Sequence, residues 1–163
     1  MDPRVIAPLE ILRLNSRLLR NCLQGMTDEQ SLGRPDDRAN SAIWVAVHMT
    51  RSRYGLLKRL GVELANPLPP HVIAAKSIDE VTEWPPVADV VSAWNAAARA
   101  LESRISAVTA AELDAPVDVK FPVHEQTNFG ALVFLTQHDA YHLGQLSLLR
   151  KQAGLPAMSY AAN

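Results

Sequence analysis

The run His138-Asp139-Ala140-Tyr141-His142-Leu143-Gly144-Gln145 holds the residues best suited to chemistry. It lies in a proline-free apolar segment, Asn128 to Ala153, that reads as one helix. Residues four apart on a helix stack on one face, so His138 and His142 point the same way. The three-four spacing of Leu135, His138, His142, Gln145 and Leu149 predicts that this line faces the core. Imidazoles on a core line are costly unless they are satisfied. A metal ion would satisfy them, because neutral imidazole is a common ligand of zinc, nickel, copper and iron. His48, on another predicted helix beside its apolar stripe, is the third candidate ligand. Three imidazoles from two helices leave coordination positions open, as in a catalytic rather than a structural site. The competing account is a chance HxxxH pair, with one histidine buried and hydrogen-bonded and the other at the surface.

The neighbouring residues carry less. An HExxH motif is absent, and Asp139, one step round the helix, is expected to point away from the metal face. Gln145 is expected either to hold a ligand histidine from the outer shell or to bond to nearby backbone. Tyr141 reads as an interface residue or a phenol near the site. Arg150 reads as a solvated charge near a helix C-terminus, or as an anion contact. Gly144 in mid-helix costs roughly 1 kcal/mol relative to Ala, which suggests close approach of another helix, within the chain or across a dimer. His71 and His124 fall in loops and read as surface histidines, His124 near the mouth of a bundle. Cys22 reads as a packing residue.

Four long helical patterns must position these groups. The first runs from about Pro8 to Gln24 and stops at Gly25. The second begins at Asn40 or Ser41 and ends at Gly61. The third covers about Val87 to Val108. The fourth is capped near Thr127 and stopped by Gly154 and Pro156. Thr27 to Gln30 and Thr109 to Glu112 look like capping boxes that start short turns. Residues 33–38 read as a polar loop, and Val117 to Pro122 as a weakly alternating extended stretch. Prolines in Asn66 to Pro70 and Trp84 to Pro86 break the connection between helices two and three, with one short turn expected near Ile78 to Glu83. The expected fold class is all-α, a four-helix bundle with that long connection between its second and third helices.

A chain of 163 residues suits one domain over 1–163. A net charge of -1 gives no basic face for nucleic acid. No apolar run approaches the ~20 residues needed to span a bilayer. The start, Met1-Asp2-Pro3-Arg4, lacks an apolar signal-peptide core, and a lone cysteine fits a reducing compartment, so a cytoplasmic location is expected.

The motif His138-x-x-x-His142-x-Gly144-Gln145, followed by Leu148-Leu149-Arg150 and Gly154, resembles the DinB/YfiT-like superfamily of metal-dependent bundle proteins. The likeness extends to the Thr27-Asp28-Glu29-Gln30 turn, to Ser41-Ile43-Trp44 leading to His48, and to the Leu60-Gly61 stop. It covers nearly the whole chain. The resemblance implies a four-helix bundle, often a homodimer, in which His48, His138 and His142 hold a divalent metal such as zinc or nickel. It further implies a thiol S-transferase or isomerase that uses a low-molecular-weight thiol. Leu143 stands where relatives often carry Arg, so an anion contact made there is missing in this chain. The expected chemistry is activation of a metal-bound thiol or water, followed by attack on an electrophilic small-molecule substrate. No catalytic residue beyond the metal ligands is assigned. Two readings compete with the enzyme: a non-catalytic small-molecule or metal-binding stress-response protein, and a metal-free dimeric scaffold.

Overall fold

The computed structural model describes residues 1–36 and 38–161. Four long helices dominate: α1 (Ile6–Leu23), α3 (Ala42–Arg59), α5 (Val87–Ala107) and α7 (Asn128–Gln152). Three short ones sit in the connections: α2 (Asp28–Leu32), α4 (Pro70–Ala74) and α6 (Ala110–Asp114). Local chemistry explains most boundaries. Thr27 and Thr109 each form the full reciprocal capping box, with Gln30 and Glu112 respectively. Ser41 caps α3 through the Trp44 amide, and Thr127 caps α7 through the Gly130 amide. Gly25, Gly61 and Gly154 follow α1, α3 and α7 with φ between 73° and 78°, where a side chain would be strained. Pro8 lies within the first turn of α1, where its missing amide proton costs little.

The contacts give the topology. α1 packs on α5 and α7, and α3 also packs on α5 and α7. Residue pairings set the directions. Asn15 and Cys22 of α1 meet Thr136 and Arg150 of α7, so these two helices run parallel. Tyr54 and Leu60 meet Ala93 and Arg104, so α3 and α5 also run parallel. The α3–α5 link must therefore return along the length of the bundle. That return is the expected long connection between the second and third long helices, and it contains the short helix α4 and a turn at Ile78–Glu80. Val45 near the start of α3 lies beside Gln145 and Leu149 late in α7, whereas Leu56 and Arg59 late in α3 lie beside Ala131 and Phe134 early in α7, so α3 and α7 run antiparallel. Among the described residues, no helix is long and apolar enough to cross a membrane.

The connection into α7 is pinned to it. A Cβ on Gly130 would sit 1.7 Å from the Glu125 carbonyl oxygen, so only glycine allows this approach. Residues 117–122 do not form a strand. The extended pairing here is a single bridge between Pro116 and Thr127.

The buried face of α7 differs from the expected line. Leu132, Leu135, Asp139, Leu143, Leu146 and Arg150 are buried, while His138, His142 and Gln145 lie half-buried along its edge. Apolar residues occur all round α7, so periodicity alone does not select its inward face. The histidine pair borders the α3–α7 groove rather than the bundle axis.

Candidate metal centre

α3 contributes His48 just under two turns after its cap, and antiparallel packing sets it opposite the α7 pair. The Nε2 atoms of His48 and His138 are 2.8 Å apart. Ring centroids lie 4.8 Å apart for His48–His138, 4.8 Å for His48–His142 and 4.4 Å for His138–His142. One donor atom from each of the three histidines lies within 4.8 Å of the others, a spacing that can hold a metal ion. The structure thus brings together the three sequence-predicted ligands. His124 is exposed, and the exposed His71 bonds to the Glu83 carbonyl; neither joins the cluster.

Each outer nitrogen has a distinct environment. The Nδ1 of His142 is 2.6 Å from Gln145 Oε1, which makes it the donor and leaves Nε2 as a lone pair. Gln145 in turn donates to the Tyr141 hydroxyl at 3.4 Å, and the Tyr141 ring lies 5.0 Å from that of His142. Of the two expected roles for Gln145, the structure supplies the outer-shell contact. The Nδ1 of His48 faces an Arg51 guanidinium nitrogen at 3.3 Å. A guanidinium has no acceptor, so His48 Nδ1 accepts and its proton sits on Nε2, directed at His138. The proton of His138 then falls on Nδ1. That nitrogen is buried without a partner, 3.8 Å from Asp139 Oδ1, which is also buried and unpartnered. Arg51, His48, His138 and Asp139 thus form one donor sequence with its last link open.

Burial holds His48 in its neutral form, with its pKa lowered to about 4; His138, His142 and Arg51 add to the shift, and Asp139 opposes it. Burial likewise lowers the His142 pKa, against the Gln145 hydrogen bond. Neutral imidazole is the metal-binding form, so neither ring has to lose a charge first, although His48 must move its proton off Nε2 to present a lone pair there. Among the described residues, the set has three nitrogens and no carboxylate ligand. It suits zinc or nickel and is a poor match for magnesium or calcium, which prefer oxygen.

Asp139, expected off the metal face, is not among the clustered ligands and points into the bundle. It is fully buried, and its Oδ2 accepts from Arg53 Nε at 3.0 Å and Nη2 at 2.8 Å. Arg53 is equally buried. It also donates to Ser16 Oγ and the Leu12 carbonyl, and its guanidinium lies 3.6 Å from the Trp94 ring centroid. This pair escaped the sequence reading, though a signal existed. Arg53 is in helical register with buried Ala46, Met49, Thr50 and Leu57, and Asp139 with Leu135, Leu143 and Leu146. A charge of each sign on two facing apolar stripes must be paired.

Three other expectations resolve. Arg150 turns inward instead of into solvent. It is buried and donates to the carbonyls of Cys22, Gln24 and Pro156, so its charge meets the negative end of α1. Gly144 has open space where a Cβ would be, which removes close packing within the chain as its reason. Cys22 is buried, and burial pushes its thiol up to about 11, which fits packing and not nucleophilic work.

Comparison with curated proteins finds no match. Among solved structures, the crystal structure of a conserved protein from Enterococcus faecalis is similar, with a TM-score of 0.68 and 15% identity over 93% of this chain and 96% of that one. At that identity the likeness concerns the fold. The DinB superfamily profile matches residues 11–146, which span α1 to most of α7 and include all three clustered histidines. The chain belongs to the DinB superfamily.

Proposed function

We propose that the protein is a metal-dependent enzyme that uses His48, His138 and His142 to hold a divalent ion, zinc or nickel, and transfers a low-molecular-weight thiol to an electrophilic small molecule. The observation that carries this reading is the convergence of three imidazoles from two helices, beside an open cleft that His138 itself lines. Three protein ligands leave a coordination position free, as catalytic centres do. When bound there, the ion would lower the pKa of a thiol or water.

The chain's own groups do the rest. Gln145 fixes the tautomer and ring plane of His142. Asp139 offers Oδ1 to the Nδ1 proton of His138, a contact that would close the last open link and raise the basicity of that ligand. Arg51 places a positive charge beside the centre, favourable to an anionic sulfur. In the transfer, sulfur bonds to the electrophilic carbon and one bond there breaks with its electron pair: a halide departs, an epoxide oxygen opens to an alkoxide that takes a proton, or an alkene π pair moves to the neighbouring carbon, which takes a proton; the thiol proton passes to solvent. The reading includes a cytoplasmic location, where small thiols are abundant, and a homodimer formed by the outer face of α7.

Elemental analysis of protein purified without an affinity tag tests the first half. About one zinc or nickel per chain is expected. Thiol-consumption assays against epoxide, halide and activated-alkene electrophiles, with and without chelator, test the second. A metal-bearing protein inactive with every thiol and electrophile would point to the non-catalytic alternative, since the same site would then only bind.

A further inference from the structure

A cleft of about 270 Å³ opens directly against His138, between α3, α7 and the connection before α7. Its walls are mostly apolar, with Leu56, Val119, Phe121, Ala131 and Phe134, and Ser52 and Arg59 add polar groups at the α3 side. The two phenyl rings lie 5.5 Å apart, and Phe134 leads onto His138 at 5.8 Å. The wall is held in place. Gln126 bonds to both the amide and the carbonyl of Phe121. Arg59 lies 5.6 Å from the Phe121 ring and is paired with Asp118.

Gly55 also borders the cleft, in the middle of α3. A Cβ there would meet nothing within 4 Å. Neither packing nor backbone angle demands glycine at this position, and it costs roughly 1 kcal/mol of helix propensity relative to Ala. A larger side chain at 55 would project into the space beside His138.

We infer that this cleft binds the apolar ring of a small molecule, a compound with an aryl or similar ring and a short arm reaching the histidine cluster, and that Gly55 keeps the space for it. A cavity of ~150 Å³ accepts benzene, so the volume here suits one ring with a short substituent. For the arm's contact the inference rests on the proposed metal centre; for the ring it does not.

The test has two arms, each run on the native chain and on Gly55→Leu, which should fold at least as well because leucine favours helix. In the first, metal-free protein is titrated with benzyl alcohol and the Ala131 methyl resonance is followed by NMR. Saturable shifts are expected in the native chain and none in the variant. Shifts that never saturate, or that persist unchanged in Gly55→Leu, overturn the inference. In the second, zinc-loaded protein is titrated calorimetrically with benzohydroxamate and acetohydroxamate, which share a metal-binding head and differ by the ring. Benzohydroxamate should bind about tenfold tighter. Gly55→Leu should erase that preference while leaving acetohydroxamate affinity and zinc content unchanged. Equal affinities in the native chain overturn the inference. If neither hydroxamate binds while the benzyl alcohol shifts remain, the metal centre has failed and the ring site stands.

Discussion

Arg53 and Asp139 meet inside the bundle, Nη2 to Oδ2 at 2.8 Å, with neither side chain open to solvent. They join α3 to α7 less than two turns from the histidines of both helices. A pair so placed holds the two helices in register and leaves Asp139 Oδ1 turned toward His138.

Breaking that pair should be costly. Asp139→Ala strands a buried guanidinium, and the expected loss is about 3–5 kcal/mol in urea unfolding of the metal-free protein. The double change Arg53→Met with Asp139→Leu removes both charges and should recover most of it. A loss for Asp139→Ala below about 1 kcal/mol, as for exposed pairs, would mean the register does not depend on this contact.

His142→Ala should abolish the proposed centre while sparing the fold. Alanine is the best helix former, and the core is largely aliphatic. Metal affinity should drop by roughly a hundredfold or more, beyond what loss of an outer-shell partner causes. Helical circular dichroism should be unchanged. Retention of full metal content would remove His142 from the ligand set.

Stability of the metal-free protein should depend on pH through His48. Its pKa falls from 6.5 in the unfolded chain to about 4 in the fold. Between those values the unfolded chain binds the proton and the folded one does not, so acid favours unfolding. The contribution of His48 is complete above about pH 6.5 and is lost as pH falls toward 4; the lowered pKa of His142 acts in the same sense. The slope of unfolding free energy from pH 7 to 5 should flatten in His48→Gln. Identical slopes in native and variant chains would contradict a neutral, desolvated His48.

Arg51 should oppose metal entry. Its contact with His48 Nδ1 places the His48 proton on the nitrogen a metal needs, and its charge repels a cation. Arg51→Gln supplies an oxygen that can accept from Nδ1 and removes the charge. Zinc affinity by competitive titration should rise, roughly tenfold at low salt. Arg51 also donates to the Ile73 and Ala75 carbonyls, so thermal unfolding must accompany the titration. Unchanged affinity in a folded variant would refute the tautomer argument.

The outer face of α7 exposes Tyr141 at 61% and Leu148 at 58% around the open Gly144. Such a patch suits a second copy of the chain. Sedimentation equilibrium at micromolar concentration should give twice the 17.9 kDa chain mass, and Gly144→Glu should restore the monomer. A native protein that sediments only as the 17.9 kDa species would refute the dimer.

Much of this protein is written locally. Ser41, Thr127 and the two capping boxes start helices, and Gly25, Gly61 and Gly154 stop them, because caps and left-handed turns depend on a few adjacent residues. The alignment of His138 with His142, and of His142 with Gln145, is likewise helix geometry. Tertiary packing decided the rest. It turned Asp139 inward onto Arg53, sent Arg150 to the end of α1, and brought His48 to a pair 90 residues away. Apolar residues surround α7 on all sides, so its rotation is set by the neighbours α1 and α3. Which polar side chains become buried follows from that rotation and from the charges available on the facing helices, neither of which is present in the local sequence.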